Sequence, residues 1–176
     1  MQSGIANTTA VFQCTKRINL NSLRFSKQSR GTAKWRCINA KLNNISYRVF
    51  ENGTVVMIGA VDNIRRRAEM FVRFISYMTR IPQRIARFQI HNYVVKFDLQ
   101  HAVDLYMLAK THKAEFHPEL FPAVLVPLAH SAKARVFSTG RGFVTGVKNI
   151  AHMDDVISSL RAITDNGRKS DLCTAV

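Results

Sequence analysis

One sequence pattern occurs twice in this chain. Arg48-Val49-Phe50-Glu51-Asn52-Gly53 runs on through Val56 to Gly59, and Arg135-Val136-Phe137-Ser138-Thr139-Gly140 runs on through Phe143 to Gly146. The copies lie 87 residues apart in a chain of 176, so each half is expected to form one structural unit. Other landmarks keep the same order. Asn7 precedes Ile18-Asn19-Leu20 and Leu23 as Asn92 precedes Val103-Asp104-Leu105 and Leu108. An aromatic residue, Trp35 or Phe121, then stands 15 or 16 residues before the phenylalanine of the repeated block. A period this long indicates a duplicated domain and not a solenoid. Two similar halves can present a pseudo-twofold surface, which suits a long, nearly symmetric ligand such as duplex DNA.

Charge points the same way. The formal net charge is +15, from 26 Lys and Arg against 11 Asp and Glu. Such an excess favours a polyanionic partner and speeds encounter with it. The 47% apolar content is enough for one domain, or for two small halves around a shared core. No apolar run approaches the roughly 20 residues that span a bilayer, and no basic amphipathic helix has a large exposed apolar face, so a membrane partner is not expected. The three cysteines, Cys14, Cys37 and Cys173, lack metal-ligand spacing, which argues for a reducing compartment and against a metal or a disulfide framework. The N-terminus has no secretory apolar segment, so the chain reads as cytosolic or nuclear.

Each half follows one order of elements. In the first, a strand at 7–12 leads to a helix capped by Asn19, then strands at 34–42, 46–51 and 54–59 and a helix over 62–79. Glu51-Asn52-Gly53 is a hairpin turn signal. Ile64, Ala68, Phe71, Val72, Ile75 and Met78 recur at helical spacing, and Pro82 lies just past the end. In the second, strands are expected at 87–97, 121–128, 133–138 and 141–146. Asp104 caps a short helix there, and a helix over 149–164 places Ile150, Met153, Ile157, Leu160 and Ile163 on one face. Residues 1–4 and 168–176 read as loose ends, flanking repeats at 5–83 and 84–168.

This order implies an antiparallel sheet with helices on one side. One parity of the hairpin strands reads Phe50, Asn52, Thr54, Val56, Ile58 and Phe137, Thr139, Arg141, Phe143, Thr145. The other, Val49, Glu51, Gly53, Val55, Met57, is also partly apolar. Which parity meets the helices and which a ligand stays open at this point.

His117-Pro118-Glu119-Leu120-Phe121-Pro122, followed by Val136-Phe137-Ser138-Thr139-Gly140 and Val144-Thr145-Gly146, resembles the second repeat of the TATA-box-binding protein core domain. Asn7, Ile18-Asn19-Leu20, Val49-Phe50, Gly53 and Gly59-Ala60 match the first repeat. The resemblance spans about residues 5–168. Val11-Phe12, Pro122-Ala123-Val124 and Phe137-Ser138-Thr139-Gly140 look closer to the TBP-like factor branch. The family implies an α+β saddle of two tandem repeats: a ten-stranded curved antiparallel sheet with four helices on its convex face. It also implies a nuclear transcription initiation factor, with neither cofactor nor small-molecule substrate, whose concave face sits in the minor groove of double-stranded DNA.

Family roles carry over position by position. The wedge pairs that open base steps would be Trp35 with Phe50, and Phe121 with Phe137. The first of these carries an indole where the family has a phenylalanine. An inserted apolar ring replaces lost stacking without demanding hydrogen bonds. Asn7 and Asn92 would bond the minor-groove acceptors, adenine N3 and thymine O2. Thr9, Val94, Val56 and Thr145 would line the groove, Thr9 standing for a family valine and Ile58 for a family threonine. Lys41 and Arg141 would contact phosphates, while their counterparts Pro127 and Thr54 have lost the charge. TATA preference is therefore an open question at this stage. Glu119 and Leu120 match the loop that meets TFIIB in the family, with His117 replacing a glutamate, and TFIIA-like basal factors are implied as further partners. Arg65, Arg66, Arg67, Arg73 and Arg80 lie on a convex helix that is either a partner surface or simply a solvated face.

Two other classes compete. An enzyme would need a constellation that the six histidines and 11 acids do not form: His112 and His117 lack ligand spacing, and Gly140-Arg141-Gly142 is a lone G-x-G inside a hairpin. A scaffold that mimics the family and sequesters basal factors without binding DNA would fit the divergence, but an acidic face would be expected of it.

Overall fold

The computed structural model describes residues 1–25, 28–30, 36–60, 63–112 and 114–165. The strands are β1 (Gln2–Cys14), β2 (Gln28–Arg30), β3 (Cys37–Leu42), β4 (Ile45–Phe50), β5 (Thr54–Gly59), β6 (Ile85–Asp98), β7 (Ala123–Pro127), β8 (Lys133–Phe137) and β9 (Arg141–Val147). The helices are α1 (Ile64–Thr79), α2 (Leu105–His112) and α3 (Met153–Asp165). The chain divides into two compact units: residues 7–91, and residues 1–6 with those from 92 on. The division falls inside β1 and β6, so each long strand contributes to both units, whereas the sequence repeats suggested a boundary near 83.

In the first unit the strand order is β2-β3-β4-β5-β1. Tyr47 on β4 pairs with Met57 on β5, and Val11 on β1 with Val56. Alternation then decides the faces. Ala10, Phe12, Tyr47, Val49, Val55 and Met57 are buried in one cluster with Ile64, Ala68, Phe71, Val72 and Ile75 of α1. The Phe71 ring stacks on Tyr47 at 3.8 Å between centroids, nearly parallel at 10°. Burial pushes the Tyr47 phenol up to about 12 against the opposing charge of Arg67, and pushes the Cys14 thiol up to about 11, so both stay protonated. The row Phe50, Thr54, Val56, Ile58 lies on the opposite face, which no helix among the described residues covers.

The second unit repeats the plan with order β6-β9-β8-β7. Val95, Phe97, Val124, Val126, Ala134, Val136 and Val144 pack with Leu105, Leu108, Val156 and Leu160 of α2 and α3. Asp104 caps α2 as expected, its Oδ1 accepting from the N–H groups of Tyr106 and Met107 at 3.0 and 3.1 Å. Phe137, Arg141, Phe143 and Thr145 occupy the helix-free face.

Several expectations need correction. The resemblance implied ten strands and four helices, but nine strands and three α-helices are present among the described residues. The missing helix is a single 3-10 turn, Leu20–Ser22, capped by Asn19 through its 3.1 Å bond from the Asn21 N–H. Asn21 and Ser22 favour caps and turns, while Leu105-Tyr106-Met107-Leu108-Ala109-Lys110 in the other copy favours helix. Residues 1–4, expected to be loose, are strand from Gln2 on, and Met1 packs against the second core. A strand is defined by main-chain hydrogen bonds, which small polar residues make as well as apolar ones. Of the expected α3 stripe, Leu160 is buried and Met153, Ile157 and Ile163 pack against the same core, with Val156 and Thr164 buried beside them, but Ile150 is exposed in a preceding 3-10 turn. The tail from residue 166 lies outside the described residues. Among the described residues no helix is long and apolar enough to cross a membrane, and no three His, Cys, Asp or Glu side chains gather as metal ligands.

Candidate nucleic-acid interface

The aromatic candidates stand where strands end. Phe50 closes β4 and Phe137 closes β8. In each turn a glycine N–H donates back to the ring-bearing residue's carbonyl, Gly53 to Phe50 at 3.0 Å and Gly140 to Phe137 at 2.9 Å. Gly53 and Gly140 have φ of +92° and +79°, a left-handed conformation that side chains disfavour. A Cβ on Gly140 would also fall 1.9 Å from the His101 carbonyl oxygen. The repeated glycine therefore fixes the turn that holds each phenylalanine at the strand end.

Phe121 arrives differently. The His117 carbonyl accepts from the N–H groups of both Leu120 and Phe121 at 2.9 Å, winding one tight turn before β7. This brings the Phe121 ring to 5.9 Å from Phe137, and Phe143 adds a third ring 6.5 Å from Phe137. The same turn leaves Leu120 79% exposed and sets Glu119 3.7 Å from His117 Nδ1. Trp35, the expected partner of Phe50, lies outside the described residues. The register partner of Phe50 is Cys37, as Ala123 is of Phe137.

The two asparagines are not equivalent. Asn92 Oδ1 accepts from the Gly146 N–H at 2.7 Å. Gly146, at φ +85°, sits in a bulge where Thr145 and Gly146 together oppose Val94. A backbone N–H only donates, so the Asn92 oxygen must face it, which leaves the amide nitrogen to donate elsewhere. In the first unit Gly59 pairs regularly with Thr8, and Asn7 Oδ1 is buried without a partner among the described residues. Thr9 and Val56 on the first helix-free face, and Val94 and Thr145 on the second, are half-buried.

The cations are arranged by register. Lys41 is exposed opposite Ser46. In the second unit the matching pair is Pro127 opposite Lys133, so the positive charge is present there but on the neighbouring strand. Arg141 Nε lies 3.1 Å from Oδ2 of Asp98, its register partner. The Gln100 N–H and then the Arg141 guanidinium hold the Asp98 carboxyl below its ordinary value, against some desolvation.

Sequence reasoning missed Arg48, Arg135, Lys133 and Lys96. All four are exposed at helix-free positions of their strands. Arg48 Nε donates to Asn39 Oδ1 at 2.8 Å, and the Arg135 guanidinium lies 5.0 Å from the Phe121 ring centre and 6.0 Å from that of Phe143. The signal was in plain view, because Arg-Val-Phe opens both copies of the repeated block. It served there as a landmark and received no role.

The fold matches a solved structure, Methanococcus jannaschii TBP, with TM-score 0.75 over 94% of this chain and 98% of that one. At 19% identity that likeness is one of fold. The family model for transcription factor TFIID (or TATA-binding protein, TBP) matches residues 87–165. Residues 87–165 thus match the TATA-binding protein family, and the chain as a whole shares its fold. The family-model match falls on its second repeat. Among curated relatives, TATA box-binding protein-like 2 of Rattus norvegicus is 27% identical over 126 residues, covering 69% of this chain and 36% of that protein. The protein of the same name from Mus musculus is 26% identical over 127 residues, again covering 69% and 36%. The chain thus spans about a third of the length of the curated relatives it matches.

Proposed function

We propose that this chain is a TBP-related transcription initiation factor of the nucleus that binds promoter DNA in the minor groove through the helix-free faces of its repeats. The observation that carries this reading is the repeated centre of those faces: in each repeat an arginine with no carboxylate partner among the described residues stands two residues before a strand-end phenylalanine. Positive charge supplies affinity for the phosphate backbone, and apolar rings supply wedges that replace base stacking at a kink. Phe121 with Phe137 is the wedge pair of the second repeat, and Phe50 with Trp35 that of the first. Asn7, Asn92, Thr9, Val94, Val56 and Thr145 line the groove. Lys41 and Arg141 contact phosphates, and Lys133 takes over the contact that Pro127 cannot make. Glu119 and Leu120, exposed on the turn before Phe121, are the docking point for a TFIIB-type factor, and TFIIA-like factors are further partners.

The test is a fluorescence bend-and-bind titration of the whole chain on a TATA duplex and on a scrambled duplex of equal composition. Binding with bending is expected, and Phe121→Ala with Phe137→Ala should reduce the bend, removing the kink of the second repeat, while the salt-dependent affinity largely survives. An unchanged bend in that double variant would overturn the wedge assignment. Failure of the wild-type chain to bind either duplex would leave a scaffold that engages basal factors without DNA.

A further inference from the structure

Arg48 and Arg135 occupy the same place in the two copies. Arg48 stands on β4 between Asn39 of β3 and Val56 of β5. Arg135 stands on β8 between Leu125 of β7 and Phe143 of β9. Each is an exposed guanidinium in the middle of a mostly apolar or small-polar sheet face. Among the described residues neither has a carboxylate within ion-pair distance, whereas Arg17, Arg36, Arg65 and Arg141 all do, at 3.1 to 3.3 Å. Both are nonetheless held in place. The Asn39 oxygen takes the Nε–H of Arg48, a bond that does not use its terminal nitrogens. The Arg135 guanidinium lies over the face of Phe121, a contact that leaves its in-plane N–H groups unspent. An oriented, unpaired, donor-only group repeated at one register is the hardware of a recognition contact.

We propose that Arg48 and Arg135 are specificity-determining residues that read A·T against G·C on the floor of the minor groove, one in each repeat. The inference rests on the minor-groove reading above and names what that face selects. A guanidinium has donors and no acceptor. The minor-groove edges of A·T and T·A offer only acceptors, while G·C adds the guanine 2-amino donor. Donor meets acceptor on A·T, and donor meets donor at the 2-amino group. A phosphate contact would carry no such difference.

The 2-amino group can be isolated chemically. An inosine·cytosine duplex presents the minor groove of A·T with the major groove and phosphates of its G·C counterpart. Competition titrations of the full chain against A·T, I·C and G·C duplexes of one length would be run for the wild type, R48Q, R135Q and R48Q/R135Q. Glutamine keeps donors but adds an oxygen that accepts from the 2-amino group. Wild type is expected to bind A·T and I·C alike and G·C at least about tenfold more weakly. The double variant is expected to bring I·C and G·C within roughly threefold of each other, each single variant falling between. Equal wild-type binding to I·C and G·C would overturn the proposal. So would a double variant that keeps the wild-type ratio and loses affinity evenly, since that pattern belongs to phosphate contacts. A wild-type chain that binds none of the duplexes would instead sink the DNA-binding reading itself.

Discussion

Arg141 does not point its charge freely into solvent: its Nε lies 3.1 Å from the carboxylate of Asp98, the residue it pairs with across the sheet. The cation proposed to meet a phosphate is therefore already engaged by an acid on the same face. Asp98→Asn should free it and remove one repulsive charge. DNA affinity should rise, and the dependence of log K on log salt should steepen by about one ion. A titration series in salt measures both, and an unchanged slope would argue that Arg141 faces no phosphate. The sign of the pH effect follows from the lowered pKa of Asp98. The pair's small contribution to stability is present above the unfolded carboxylate pKa and is lost only as pH falls through the still lower folded value. It is thus intact throughout the neutral range.

Asn7 and Asn92 should separate in a stability experiment although they are matched in sequence. Removing the Asn92 amide leaves the Gly146 N–H in the bulge without its acceptor, at a cost of about 1–3 kcal/mol. Asn7 Oδ1 has no partner to lose among the described residues, so Asn7→Ala should cost under about 1 kcal/mol or stabilise slightly. Denaturation midpoints of the two variants test the contrast. Equal losses would mean that the bulge does not depend on the side chain.

Glycine substitutions should discriminate just as sharply. Gly140→Ala puts a Cβ 1.9 Å from a carbonyl oxygen at φ +79°, and should destabilise by more than about 2 kcal/mol. Gly4→Ala meets nothing within 4 Å and should stay within about 0.5 kcal/mol of the parent. Thermal melts of both would decide it, and a tolerant Gly140 would imply that the turn before Arg141 can re-form another way.

Much of the architecture was legible because the duplication gave each pattern two readings. The strands of both hairpins were found to within about a residue, and α1 to within two at its start. The short helix after Asn19 was not, because a capping asparagine announces a beginning without guaranteeing enough helix formers after it. The α3 stripe failed only at Ile150, which fits the periodicity, yet backbone hydrogen bonding puts it in a 3-10 turn. The faces were undecidable from composition alone, since Val56 and Val55 are equally apolar. Only the helix packing against Val55 separates them. Arg48 and Arg135 escaped notice because a lone arginine in a strand reads as a solvated edge until its cross-strand neighbours are known. The charge on Lys133 escaped for a related reason: its meaning depends on Pro127, which lies across a turn and not beside it in sequence.

That last pair bears on how the two halves of such a chain should be compared. Column by column, lysine becomes proline at one position and serine becomes lysine at another, and both look like losses of correspondence. A phosphate passing over the strand pair would meet one ammonium in either copy, displaced by a single inter-strand spacing of about 5 Å, less than the reach of the side chain that carries it. What the halves hold in common is a charge per rung of the ladder, so the rung is the unit in which their likeness is counted.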